Sequence, residues 1–145
     1  MMNSFKGKPI VSGKGTGPAV VTDKPINFTA ALLKSANIIF RDRLSDKHHE
    51  LYRTRLKGKV LVFPACVGST FTGQVLLELA VNKCAPAALI VQKADPLLAS
   101  GPLMAEVWYG LGIPLVEYSG GDLYATLKKG VRVTVDGSTG MITVE

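Results

Sequence analysis

The chain has 145 residues, 47% of them hydrophobic, and a formal net charge of +6. That is one domain's worth of chain with apolar content for one sizeable core, so a single domain over residues 1–145 is expected. No apolar run reaches the length of a membrane span, and the opening Met1-Met2-Asn3-Ser4-Phe5-Lys6 lacks the apolar stretch of a secretory signal, so a cytoplasmic protein without membrane contact is expected.

Two cysteines, Cys66 and Cys84, are too few for a disulfide framework and for the usual thiolate set of an iron–sulfur cluster. Much of the basic character lies in Arg41, Arg43, Lys47, Arg53, Arg55, Lys57 and Lys59, interrupted by Asp42, Asp46 and Glu50 and poor in aromatics. Such a run reads as a solvated face that attracts an anionic substrate or an acidic partner rather than as a nucleic-acid surface.

In chain order, Lys8 to Val21 reads as two short strands around Ser12-Gly13-Lys14-Gly15-Thr16-Gly17-Pro18. The alternating glycines lack the Gly-Lys-Ser/Thr ending and the following helix of a phosphate loop, and read as a turn or bulge. Asp23-Lys24-Pro25 is a turn and Ile26-Asn27-Phe28 a further short strand. Ala30 to Ser35 is ambiguous, Asn37 to Phe40 has strand composition, and Arg41 to Arg55 is an exposed excursion. His48 and His49 lie there with no spaced carboxylate or cysteine, so they read as solvated and no metal site is expected.

The stretch richest in chemistry follows. Val60-Leu61-Val62-Phe63 has the length and composition of a buried strand, which Pro64 ends. A loop with Gly68, Ser69, Thr70 and Thr72 then runs into the helical pattern Val75 to Val81. The hydroxyls there either cap the helix or line an anion site beside its N-terminal amides. Asn82 to Pro86 stops the helix, Ala87 to Val91 is a second buried strand, and Gln92 to Pro96 is a loop of the kind that carries ligand contacts in open α/β sheets. Ser100 reads as an N-cap for a helix from Leu103 to Tyr109, with Pro102 in its first turn, Trp108 as packing and Gly110 as its stop. Ile113 to Tyr118 is a strand, Ser119-Gly120-Gly121-Asp122 opens a helix from Leu123 to Lys128, and Val131 to Val135 and Met141 to Val144 form a hairpin around Asp136-Gly137-Ser138-Thr139-Gly140. Strands at both ends and alternating strands and helices between them predict a three-layer β/β/α domain: a short parallel central sheet plus a second, mostly antiparallel sheet.

Phe5-Lys6-Gly7-Lys8, Gly15-Thr16-Gly17-Pro18-Ala19, Leu56 to Pro64, Gly68-Ser69-Thr70, Ala85-Pro86-Ala87-Ala88, Asp95-Pro96-Leu97-Leu98 and Gly112-Ile113-Pro114 occur in an order that spans nearly the whole chain. In that order the chain resembles the small subunit, or swivel domain, of aconitase X. The resemblance implies a swivelling β/β/α fold and a larger partner subunit that carries the cysteine ligands of an iron–sulfur cluster, with none bound by this chain alone. It also implies dehydration of a small hydroxy acid: mevalonate 5-phosphate in archaeal members, cis-3-hydroxy-L-proline in bacterial ones. By position Ser69 becomes the proton acceptor, with Gly68, Thr70, Thr72 and Cys66 around the substrate. The loop from Ala65 to Thr72 lacks the arginine and the second serine of the archaeal pattern, and apolar Val67 and Phe71 flank the serine. A phosphate favours cationic forks, so the hydroxyproline branch is expected, with mevalonate 5-phosphate as the alternative. Two readings from other classes are a non-catalytic swivelling carrier, which needs a phosphorylatable histidine on the central loop, and an anion-binding module that uses the basic face.

Overall fold

Two runs of four consecutive apolar residues, Val60–Phe63 and Ala88–Val91, bury every side chain, so a layer must cover each of their faces. The computed structural model describes residues 2–28, 43–44, 46–68 and 70–145. Among these it contains β1 (Asn3–Lys6), β2 (Lys8–Val11), β3 (Lys14–Val21), β4 (Val60–Phe63), α1 (Thr72–Val81), β5 (Ala88–Val91), α2 (Pro96–Tyr109), β6 (Leu115–Glu117), α3 (Gly121–Thr126), β7 (Arg132–Asp136) and β8 (Met141–Val144).

Hydrogen bonding joins the strands in the order β1-β8-β7-β3-β4-β5-β6-β2. Strands β3, β4, β5 and β6 are parallel, in registers such as Ala19 with Val60 and Val60 with Ala88, and all other pairs are antiparallel. β3 is the joint. Its first half, Lys14 to Pro18, pairs with β7, and its second half, Ala19 to Val21, pairs with β4. The sheet folds back there, so β7 packs across β4 and β6 despite their separation in hydrogen-bond order.

Strand alternation then sorts the core into two layers. Leu61, Phe63, Leu89, Val91 and Leu115 point to α1 and α2, where they meet Leu76, Leu79, Leu98 and Ala105. Val60, Val62, Ala88, Ile90 and Val116 point the other way, onto Val133, Val135, Ile142 and Val144 of the antiparallel half. Each fully buried side chain of this size contributes about 1.5–3 kcal/mol relative to exposure. The result is the expected β/β/α stack, its two β layers being halves of one continuous eight-stranded sheet.

Several local expectations are corrected. Gly15, Thr16, Gly17 and Pro18 lie inside β3 and not in a turn; only Ser12 and Gly13 separate β2 from β3. Ile26 to Phe28 supplies one bridge, Ile26 to Cys66, instead of a strand. The excursion around Arg43 to Arg55 is tucked down by buried Leu44 and Leu51 and closed by a bridge between Arg43 and Arg55. Helix α2 starts at Pro96 and not at Leu103: Asp95 is its N-cap, accepting from Leu98 N at 2.9 Å, and Pro96 fills the first position. Ser100 sits inside that helix and donates to Leu97 O. Trp108 is not packing material, being 62% exposed. α3 begins at Gly121, with Gly120 at its N-cap. The readings for Ala30 to Ser35 and for Asn37 to Phe40 lie outside the described residues.

Candidate active site

Because β4, β5 and β6 run parallel, the loops at their C-terminal ends gather on one edge, where ligands bind in open α/β sheets. Hydrogen bonds weld these loops together. Gln92 N and Lys93 N both donate to Pro64 O at 3.1 Å, and Ala94 N donates to Glu117 Oε2 at 2.8 Å. The loop after β4 is held from the other side, where Ile26 N donates to Ala65 O and Val67 N donates to Ile26 O. Phe63, which closes β4, packs edge-on against Phe28 with ring centroids 5.5 Å apart.

On this edge Cys66, Val67, Gly68, Thr72, Asp95 and Leu97 line a shallow cleft of about 60 Å³. Binding pockets for small molecules run to roughly 300–1,000 Å³, so this cleft by itself is too small to enclose a substrate. Gly68 has φ +96°, and a side chain there would run into Asn27. Thr72 is buried at the floor of the cleft, whereas Thr70 is exposed beside it. Neither threonine is the helix cap: Phe71 holds that position, and its carbonyl accepts from Val75 N at 3.0 Å. Ser69 lies outside the described residues. Its neighbours in sequence, Gly68 and Thr70, are at the mouth of α1.

Burial, and then the Asp95 carboxylate, push the Cys66 thiol up to about 12. It is a neutral thiol at physiological pH and neither a nucleophile nor a ready metal ligand. Cys84 is at the other end of α1, a helix of ten residues and thus about 15 Å long, and its Sγ donates to Asn82 O. Among the described residues no three of His, Cys, Asp and Glu gather into a group able to hold a metal. Cys66 and Cys84, at opposite ends of α1, cannot ligate one iron–sulfur cluster together. His48 is exposed and His49 half-buried, with His49 Nδ1 accepting from Leu51 N at 3.0 Å. No helix among the described residues is long and apolar enough to cross a membrane.

Reading the loop after β4 by sequence identifies Cys66, Gly68 and Thr72 of the cleft. It misses Asp95 and Leu97. The Asp-Pro pair after a buried strand was the available signal, since it marks both a strand end and a helix start.

A swivelling three-layer β/β/α domain with a serine-bearing loop at the end of its central parallel strands defines the class. The sequence pattern of the aconitase X swivel domain matches residues 4–144, and the chain belongs to that family. The phosphomevalonate dehydratase small subunit of Methanocella arvoryzae is 37% identical over 138 residues, covering 95% of this chain and 96% of that protein. Its counterpart in Methanothermobacter thermautotrophicus is 35% identical over 133 residues, 92% and 93% of the two chains. The crystal structure of Thermococcus kodakaraensis aconitase X in its holo-form superposes with a TM-score of 0.82 at 30% identity, covering 99% of this chain and 98% of that one.

Proposed function

We propose that this chain is the small subunit of a two-subunit phosphomevalonate dehydratase, with Ser69 as the proton acceptor. The observation that carries the reading is the near-complete mutual coverage with relatives of that name, at 35–37% identity. This reverses the expectation of a hydroxyproline substrate. That expectation rested on the missing arginine and on apolar Val67 and Phe71 in the loop, but both of these side chains are exposed. The charge that a phosphate needs is absent from 65–72, and comes from the partner or from neighbouring loops such as that of Lys93.

The chemistry of the loop suits removal of a proton α to a carboxylate with loss of a β-hydroxyl. A serine hydroxyl becomes basic only in a preorganised, water-poor setting beside positive potential. The loop before α1 offers the end of a helix dipole and no acidic residue in the first turn of that helix. In the described part of the cleft the Cys66 thiol stays protonated and the Asp95 carboxylate is engaged by Leu98 N. A purified pair of this chain and the aconitase X large subunit of the same organism should release water from phosphomevalonate and leave cis-3-hydroxy-L-proline untouched. The opposite preference would overturn the substrate, and no activity on either would overturn the reading.

A further inference from the structure

Helices α1 and α2 form the outer layer of the domain, yet they are not built like a solvated surface. The chain has 17 lysines and arginines, and none lies among the 24 residues of these two helices. Helix α2 buries Leu98, Gly101, Pro102 and Ala105 against the core, which leaves the opposite side to solvent. The helix exposes Leu97, Leu103, Met104, Val107 and Trp108, with Val107 at 70% and Trp108 at 62%, and Leu111 is exposed just past its end. Leu97, Met104 and Trp108 recur at helical spacing and form one stripe, and Leu111 follows just past the Gly110 stop. Glu106 is the only charged residue of α2, and its carboxylate turns back to accept from Gly112 N at 2.9 Å. Aromatic residues and methionine without lysine are the composition of an interface core. A patch of this kind marks an interaction site.

The stripe also has an end. Leu97 and exposed Val67 both line the site cleft, and exposed Phe71 holds the N-cap of α1 at the end of the same loop. Whatever seats on the α2 face therefore continues onto the rim of the site and covers the cleft. We infer that the exposed face of α2, from Leu97 through Trp108 to Leu111, is the docking surface for the large subunit, with Trp108 as its anchor. The inference rests on the two-subunit reading above, and it adds where the partner sits. A second copy of this chain on the same face would bury the stripe without bringing new chemistry to the cleft.

The test measures the affinity of the purified aconitase X large subunit of the same organism for four forms of this chain: unmodified, Trp108→Ala, Val107→Glu and Met141→Glu. Met141 is an exposed residue of β8, in the antiparallel half of the sheet away from the helices, and serves as the control. Circular dichroism checks that each form is folded. The expected result is a loss of about 30-fold or more for the two α2 variants and none for the control. Unchanged affinity in both α2 variants would overturn the docking surface while leaving the two-subunit reading in place. So would self-association of the unmodified chain that Val107→Glu abolishes without any effect on the large subunit. Failure of the unmodified chain to bind would overturn both.

Discussion

Gly73 of α1 and Gly101 of α2 meet backbone to backbone. A Cβ built on Gly101 would lie 2.1 Å from the Gly73 carbonyl oxygen, and one built on Gly73 would lie 2.1 Å from Ser100 Oγ. Small residues at a crossing let two helices approach until main chains touch. Gly73 is the second residue of α1, so this crossing also fixes where the mouth of the site loop stands relative to Asp95 and Leu97. Gly101→Ala would gain about 1 kcal/mol of helix propensity. Against that, the new methyl meets backbone, which cannot rotate away, and overpacking of this kind costs about 1–3 kcal/mol. A net loss of stability is expected in urea unfolding, together with weaker catalysis by the reconstituted pair. A variant as stable as its parent would mean that the crossing is loose.

Gly68 faces two obstacles at once. Its φ of +96° lies where side chains are rarely tolerated, and a Cβ would stand 2.4 Å from Asn27 Nδ2. Gly68→Ala should cost about 1–3 kcal/mol and displace the loop. Adding Asn27→Ala removes the clash and leaves the backbone cost, so the double variant should recover only part of the stability. Full recovery by denaturation midpoint would show that crowding alone required glycine there.

Much of this arrangement could be read from sequence wherever one residue type has one physical use. β4 and β5 are legible because unbroken apolar runs of four residues demand cover on both faces, and the β7–β8 hairpin is legible because apolar and polar residues alternate around Asp136-Gly137. The start of α2 is misread because Ser100 and Pro102 imitate a beginning. Gly101 and Pro102 are instead the inward face of the helix, and the true start is the bond from Leu98 N to Asp95. β1 is too short and polar to announce itself and exists by pairing with β8. Trp108 is misassigned because an apolar residue in a helix has the same sequence pattern whether it faces the core or, as here, solvent. Asp95 and Leu97 join Cys66 and Gly68 because β4 pairs with β5, a long-range fact that the Asp-Pro signal alone does not carry.

Asp95 has two jobs that one substitution separates. As N-cap of α2 it is worth about 0.5–2 kcal/mol, and its charge helps hold the Cys66 thiol up. Asp95→Ala should lower stability by that amount and lower the Cys66 pKa, while Asp95→Asn should keep most of the cap and still lower the pKa. Rates of iodoacetamide labelling at Cys66 against pH, in a Cys84→Ser background, read the second effect. Equal labelling profiles for the parent and Asp95→Asn would exclude a charge effect of Asp95.

The same thiol sets a pH signature. Well below pH 9 it is protonated in both the folded and the unfolded chain and has no effect on stability. Between about 9 and 12 the unfolded chain ionises and the folded one does not, so the unfolded state gains and stability falls as pH rises. The slope has a ceiling of about 1.4 kcal/mol per pH unit, and Cys66 is only partly buried, so less is expected. Cys66→Ser should flatten the decline of the urea midpoint over this window and leave it unchanged near neutrality. Identical slopes in the two proteins would mean that the thiol is solvated.

Ser69 carries the proposed chemistry, and its removal must be read apart from the fold. Ser69→Ala deletes one oxygen from a loop whose neighbours are held by other contacts: Val67 N by Ile26 O, and the start of α1 by the Gly73–Gly101 crossing. Stability and large-subunit affinity should therefore stay close to those of the parent. Turnover should fall, because a positioned general base contributes about 10²–10⁴-fold to a proton abstraction. The decisive measurement is solvent deuterium exchange into substrate, which reports proton removal even when dehydration is blocked later. Loss of exchange and dehydration together places Ser69 at the proton. Exchange that survives while dehydration is lost assigns the proton to another group and leaves Ser69 a part in the later loss of hydroxide, and turnover at the parent's rate would remove it from the mechanism.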